Sequence, residues 1–442
     1  MRILIYGINY APELTGIGKY TGEMGSWLAK QGHTVRVITG IPYYPEWEVH
    51  KKYKGKLWHK EMIDGVTVYR CPLYVPRKIT SAKRIIHEFS FLASIFPVWF
   101  MTLFQKKYDA VICVSPPFHL GFLPMLYSKI RGVSMVTHIQ DLQVDAAKNL
   151  AMLKNGRMLN MMFGAEKFIL KRSSAVSSIS VGMIKKILAK NIRGLKTILF
   201  PNWMDEVHVR PLKKEDSMRS EFGISNEDKA ILYSGNLGEK QGLEIIVDTA
   251  KEFAERKDVH FLIVGSGGNK EKLERMAKKN ALENVRFFPL VQPQKLSALL
   301  ASADIHLVLQ KKTASDLVMP SKLTNILASG GCAIVTAVPG TSLYDVVDKN
   351  NLGILIQPES APALKESIEK ALSEDLELYR QNGRRFAIEY LSKEKIMKNF
   401  ESELYDLSGT VLKPVPPLVY TRTKQPAQKN QHSTFKQPVP SK

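Results

Sequence analysis

Residues Ser315 to Pro339 read SDLVMPSKLTNILASGGCAIVTAVP, and the order of local signals in them decides the fold. A carboxylate at Asp316 and a Pro320-Ser321-Lys322 turn lead into an apolar-periodic run, Leu323 to Ala328. A Gly330-Gly331 pair stops that run before the apolar strand Cys332 to Val338. Turn, helix, glycine stop and strand in this order predict a helix start held beside a parallel sheet. The first amides of a helix lack intrahelical partners and the macrodipole adds roughly half a positive charge, so such a start favours an anion. Lys322 adds a full charge. The stretch reads either as a seat for a diphosphate or as an ordinary capped helix in an α/β core, and alone it does not choose.

Outward from it, the same alternation recurs along the chain. Ile3 to Tyr6 reads as a first strand, followed by the loop GINYAPELTGIGKY, an amphipathic helix Tyr20 to Lys30 closed by Gly32, and the strand His33 to Thr39. Strand, glycine loop, helix, strand is the opening of a doubly wound sheet. Further strands are predicted at Thr67 to Arg70, Ala110 to Val114, Ser134 to Thr137, Ala175 to Ile179 and Lys196 to Phe200. A second series starts at Ala230 to Tyr233 and continues at His260 to Val264, Val285 to Phe288, Ile305 to Leu309, Ala333 to Ala337 and Gly353 to Ile356. Short apolar strands followed by Gly, Pro or a helical run are what a parallel sheet covered on both faces requires. The fold class is α/β, with two Rossmann-like domains facing a central cleft: an N-terminal domain at 1–200 and a C-terminal one at 201–380. Residues 409–442, rich in Pro, Gln, Lys and Thr, read as a disordered basic tail.

The chain has 442 residues and a formal net charge of +21. Residues 1–200 hold 29 Lys and Arg against 11 Asp and Glu, whereas 201–408 hold 28 against 31. A field of that sign on one half attracts nucleic acid, anionic lipid or a polyanionic substrate. Neither a helix-turn-helix, an RNP-like run nor a zinc pattern is present, which disfavours nucleic acid. Three scattered cysteines, Cys71, Cys113 and Cys332, form no disulfide framework and point to a reducing cytosol. The N-terminus reads as a strand, too short for a signal-peptide core. Phe89 to Phe104, FSFLASIFPVWFMTLF, is apolar between Lys83-Arg84 and Lys106-Lys107. A span needs about 20 apolar residues and Pro97 should interrupt this one, so the expectation is a core helix or one lying in the plane of an anionic membrane surface. Ala151 to Arg172 repeats the mixture of Met, Phe and Leu with Lys and Arg.

Taken together, PELTGIG, GHTVRVIT, PNWMD at 201–205, SGNLGEKQG at 234–242, VGSGG at 264–268, ADIHLVL at 303–309 and PSKLTNILASGGCAIVT at 320–336 resemble the GT-B glycosyltransferases of family four. The match runs from residue 1 to about 405 and is nearest the exopolysaccharide members. It implies transfer of a sugar from a nucleotide diphosphate sugar as co-substrate, with no other cofactor, with retention at the anomeric carbon and no required metal. No Asp-x-Asp pair occurs in the chain, in keeping with the last point. It also implies a GDP- or UDP-sugar donor, a polyprenyl-diphosphate-linked saccharide acceptor, a cytoplasmic place on the inner membrane face, and a helix at 381–408 that returns to the N-terminal domain.

Carried onto this sequence, the family pattern puts Gly16 and Gly18 at the diphosphate and acceptor side, where a missing Cβ lets backbone approach a ligand, and Glu13 beside an acceptor hydroxyl. Gly235 opens the second half; where the family has an Arg and a Lys on phosphate, this chain has Asn236 and Gln241, with Lys240 adjacent. Lys322, with the amides of Ser321 and Lys322, is the substitute cation. The family's two glutamates fall on Leu317 and Asn325, so Asn325 would read the ribose and Asp316 the donor sugar. Near the reacting centre, Asp141 is the first choice to orient or deprotonate the acceptor, His138 the second, and His119 a weaker acceptor-side candidate. A nucleotide-sugar epimerase or hydrolase on the same architecture remains open, as does, less strongly, a nucleic-acid-binding protein.

Overall fold

In the computed structural model, residues 1–13, 16–78, 80–145, 156–204, 209–312 and 320–409 are described. The expectations placed on Asp316, on Leu317 and on the tail at 410–442 lie outside them.

The first lobe carries β1 (Arg2–Tyr6), β2 (Thr34–Gly40), β3 (His59–Ile63), β4 (Val66–Cys71), β5 (Ala110–Ser115), β6 (Ser134–Ile139), β7 (Ala175–Ser178) and β8 (Thr197–Leu199). They form one sheet in the order β3-β4-β2-β1-β5-β6-β7-β8, parallel throughout except for the edge pair β3 and β4. Its helices are α1 (Gly16–Lys30), α2 (Ser81–Thr102), α3 (Phe122–Arg131), α4 (Gly156–Arg172) and α5 (Val181–Leu188). The second sheet, β11-β10-β9-β12-β13-β14, is built from β9 (Lys229–Asn236), β10 (Val259–Ser266), β11 (Val285–Phe288), β12 (Ile305–Val308), β13 (Ala333–Thr336) and β14 (Gly353–Ile356). Around it lie α6 (Glu244–Lys251), α7 (Lys270–Lys279), α8 (Leu296–Ala301), α9 (Ser321–Ala328), α10 (Ser342–Asn350), α11 (Ala361–Ser373) and α12 (Glu377–Tyr390). Strands such as AVICVS and VHFLIVGS are buried almost end to end, as sheets covered on both faces demand.

The last helix, α13 (Lys393–Ser408), leaves the second lobe and completes the first. Ile396, Met397, Phe400 and Leu404 join the cluster of Ile3, Trp27 and Ile112, and Phe400 stacks on Phe200 at 3.9 Å. Trp27 Nε1 donates to Glu394 at 2.7 Å and Ser134 Oγ to the Leu407 carbonyl at 2.6 Å. The boundary expected at residue 381 is corrected: it falls inside α12, whose Phe386, Ala387 and Tyr390 pack with Leu323 and Leu327 of the second lobe. The return happens at Ser392, where the two crossings lie side by side, Met204 N–H donating to the Leu391 carbonyl at 2.9 Å.

Two further expectations change. α1 begins at Gly16, a turn earlier than its apolar periodicity marks, so Gly16 and Gly18 belong to the helix start and not to the loop. Pro97 does not interrupt α2. Pro97 and Ala93, four residues before it, are both exposed, so the carbonyl that loses its partner faces solvent.

Candidate active site

Parallel sheets present their ligands at the carboxyl ends of the strands, and here both sheets do so toward the interlobe mouth. In the first lobe the ends of β1, β2, β5 and β6 surround a cavity of about 200 Å³ lined by Asn9, Gly16, Tyr43, Trp47, Glu88 and Asp141, among others. Asp141 follows β6 directly; burial by its surroundings raises its carboxyl above the usual range, and Lys240 and Arg84 pull it back. Lys240 belongs to the other lobe, so this carboxyl stands where the two lobes face each other. Thr324 of α9 shares a narrower interlobe cavity of about 40 Å³ with Ile179, Val181 and Asn202.

The two histidines are placed differently from the expectation. His138 lies inside β6, 2% exposed, with Nδ1 at 3.0 Å from Ser177 Oγ and Nε2 at 2.9 Å from Gln140 Nε2. Burial drives its pKa down to about 3. With both nitrogens engaged inside the sheet and the ring absent from the cavity lining, the structure places it in the core and not at the acceptor side. His119 is also buried, stacked on Phe89 at 4.6 Å, and burial lowers it to about 4. It faces Glu88 at 4.0 Å and does not line the cavity.

Glu88 is the site residue the sequence reading missed. It is 7% exposed, and Gln143 Nε2 donates to both its oxygens at 3.0 Å. Gln143 in turn accepts the Phe118 N–H at 3.1 Å, so α2 and the loops after β5 and β6 are held together around the cavity. A signal existed: Glu88 stands in one helical stripe with Phe91, Ile95 and Trp99, a carboxyl on a core-facing side.

Glu13 is 3% exposed and does not line the cavity. Its Oε1 accepts from the Tyr43 and Tyr44 amides, each at 3.1 Å, and from Asn9 Nδ2 at 3.3 Å. A Cβ on Gly18 would stand 2.4 Å from Glu13 Oε2. The glycine thus makes room for this carboxyl, not for a ligand. Gly16, with φ of 60°, does line the cavity, under the Tyr44 ring.

In the second lobe the penultimate residue of β9 is Gly235 (φ 137°), against which the Lys322 side chain packs; a Cβ there would meet Lys322 Cε and Nζ at 3.2 Å. The ammonium hydrogen-bonds Tyr233 Oη and sits 3.9 Å from the centroid of that ring, while Tyr233 Oη donates to the Asn236 carbonyl at 2.7 Å. Burial without a carboxylate partner among the described residues lowers Lys322 to about 7. Lys322 rises from the first turn of α9, whose N-cap, Pro320, supplies no side-chain bond. Ser321 is exposed at that start and Asn325 is half-buried one turn on. The side chains of Asn236 and Gln241 converge on Gly238, where a Cβ would meet them at 3.0 and 2.9 Å. Gln241 Oε1 is buried there without a partner among the described residues.

Two α/β lobes with a carboxylate on one side of the mouth and a half-buried cation at a helix start on the other define a GT-B-type group-transfer protein. The chain belongs to the glycosyltransferases: residues 15–203 match the "Glycosyl transferase 4-like domain" and 214–386 the "Glycosyl transferases group 1" family. It is 41% identical, over 91% of its length and all of the relative's, to WcaI of Escherichia coli (strain K12), a glycosyl transferase named for colanic acid biosynthesis. Among solved structures it resembles sucrose-phosphate synthase of Thermosynechococcus elongatus (TM-score 0.71, 17% identity, 92% of this chain and 99% of that one). It also resembles HepE of Anabaena in complex with UDP (TM-score 0.67, 14% identity, 92% and 100%).

Proposed function

We propose that the chain is a retaining hexosyltransferase working without a metal, on the inner face of the membrane, in exopolysaccharide assembly of the colanic acid type. It moves a sugar, fucose among the candidates, from a GDP- or UDP-sugar to a polyprenyl-diphosphate-linked saccharide. The observation that carries this reading is Lys322, a half-buried cation at the start of α9 whose ammonium, among the described residues, bonds the Tyr233 phenol and no carboxylate, in the lobe whose Lys240 faces Asp141. A diphosphate seated there satisfies the ammonium and the Ser321 and Lys322 amides together. The name of the relative WcaI supports the pathway, and the UDP held by HepE supports a nucleotide donor.

In the reaction the bond from the anomeric carbon to the diphosphate oxygen breaks while the acceptor oxygen bonds the same face. Asp141 orients the acceptor hydroxyl, whose proton passes to the departing diphosphate oxygen. Charge grows on that diphosphate as the bond breaks, so Lys322 and the amides contribute most in the transition state. The exposed apolar side of α2, with Lys106 and Lys107 at its end, seats the enzyme on anionic lipid where the acceptor resides.

The test is a screen of GDP- and UDP-sugars for thermal stabilisation, followed by transfer to a lipid-diphosphate saccharide. One nucleotide class should raise Tm and the product should keep the anomeric configuration. Lys322→Ala should lower kcat roughly 100-fold, more than it weakens nucleotide binding. Asp141→Asn should lower kcat about 10² to 10³-fold with donor binding intact. An inverted product, or a fully active Lys322→Ala enzyme, refutes the reading.

A further inference from the structure

Glu13 is a buried carboxyl that the chemistry above does not use, and its contacts reach each part of the first-lobe cavity that comes from the start of the chain. Asn9 follows β1, Gly16 and Ile17 open α1, and Tyr43 and Tyr44 follow β2; all five line the cavity, and Glu13 stands behind them. One oxygen gathers the Asn9 amide and the Tyr43 and Tyr44 N–H groups. The other oxygen is buried with no partner among the described residues and lies over Gly18, where a side chain would expel it. Tyr44 itself lies on Gly16, 3.5 Å from where a Cβ would be.

We propose that Glu13 is the positioning residue of the acceptor cavity, a clasp that holds the Tyr43–Tyr44 segment against the start of α1 and thereby sets how well the acceptor, and not the donor, is bound and aligned. This rests on the assignment of that cavity to the acceptor. Ionised, the carboxylate accepts three donors; protonated, its grip weakens, because hydrogen bonds to an ionised acceptor are the stronger kind. Burial pushes the carboxyl up to about 7, against the pull of the Tyr44, Tyr43 and Asn9 donors and of Arg70. Arg70, from β4, is the charged group facing it; its guanidinium bonds the Ala11 and Gly40 carbonyls and the Glu61 carboxylate. The phenol of Tyr43 is the other titratable group that senses Glu13. The clasp therefore tightens as pH rises through neutrality.

Hydrogen exchange and steady-state transfer on the full chain test this, with Glu13→Ala, Glu13→Gln, Gly18→Ala and the Glu13→Ala/Gly18→Ala double variant. Glu13→Ala should speed exchange of the Tyr43 and Tyr44 amides at least tenfold while amides of β1 stay protected. It should lower acceptor kcat/KM about tenfold or more with donor KM changed less than twofold. Gly18→Ala, which crowds Oε2, should do the same in a chain that keeps the carboxyl, and the double variant should be no worse than Glu13→Ala. The wild-type acceptor kcat/KM should rise with pH through about 7, and Glu13→Gln should lack that limb. Unchanged Tyr43 and Tyr44 exchange overturns the clasp. Faster exchange with unchanged acceptor kinetics overturns the positioning role, as does an equal loss for donor and acceptor. If no sugar is transferred from any donor, the proposed reaction fails, and the exchange measurement still decides the clasp.

Discussion

Lys322 is the side chain on which the proposed diphosphate seat turns. Its ammonium has a phenol for a partner and a ring face beneath it, and among the described residues no carboxylate offsets the desolvation that lowers it to about 7. In the empty enzyme the unfolded chain therefore binds more protons than the folded one between about pH 7 and the ordinary lysine value of about 10.5, and stability should rise with pH across that window. A bound diphosphate reverses the preference, because the anion favours the charged form. Nucleotide binding should thus take up as much as one proton above pH 7, and affinity should fall by up to about tenfold per pH unit there. Calorimetric titration of GDP and UDP in buffers of different ionisation enthalpy measures both, and Lys322→Met should remove the pH slope. A flat wild-type affinity from pH 7 to 9 would show that this ammonium does not meet the phosphates. Glu13 has the opposite sign: with its carboxyl pushed up to about 7, the folded state gives up stability as pH rises from the carboxylate range through 7. Glu13→Gln should accordingly raise Tm at pH 8 by more than at pH 5, although it loosens the clasp. Residues at this scale were half legible. Lys322 announced itself by a Pro-Ser-Lys turn ahead of an apolar run, whereas the engagement of His138 by Ser177 and Gln140 needs strand pairing that no local pattern contains.

Among elements, the central strands were readable because their apolar runs have no other use, and the edge was not. HKEMI in β3 alternates between half-buried and exposed and carries two charges, so it reads as loop. Yet it pairs antiparallel with β4 across Asp64-Gly65, both at positive φ (47° and 80°), a two-residue turn that Asp-Gly favours. The dipeptide was the available signal. At the middle of the second sheet a different glycine sets the limit: a Cβ on Gly265 in β10 would lie 2.0 Å from the Gly235 carbonyl oxygen in β9. Backbone cannot yield as a side chain tip does, so Gly265→Ala should destabilise the second lobe by about 2 kcal/mol or more and displace Gly235 from under Lys322. Denaturant unfolding and nucleotide binding should both report it. Gly268→Ala, with open space around its Cβ, is the matched control and should leave both unchanged.

Across the whole molecule, charge and apolar surface lie in the same lobe, which no single element explains. Residues 1–200 carry the excess of 29 cations over 11 anions, and α2, α3 and α4, in contact in that order, expose Phe96, Phe100, Met101, Ile130, Met161 and Phe168. By length and composition α2 is apolar enough to cross a bilayer, but Phe91, Ile95 and Trp99 are buried in the lobe, so only its other side is free for lipid. If this surface docks on lipid, as proposed, two forces of different range act on it. Attraction of basic residues to anionic lipid contributes about 1 kcal/mol per Lys or Arg near the membrane and is screened within about 10 Å at 0.1 M salt and about 3 Å at 1 M. Insertion of ring area is insensitive to that screening. Binding to vesicles containing anionic phospholipid should therefore fall steeply with salt to a residual level set by the rings, and binding to neutral vesicles should stay near that residual. Phe96→Glu/Phe100→Glu should abolish the residual while leaving turnover on a water-soluble acceptor unchanged, because both rings are exposed and neither lines the Asp141 cavity. Equal binding to neutral and anionic vesicles at low salt, or full binding by the double variant, would separate the basic half of the chain from any role at a membrane.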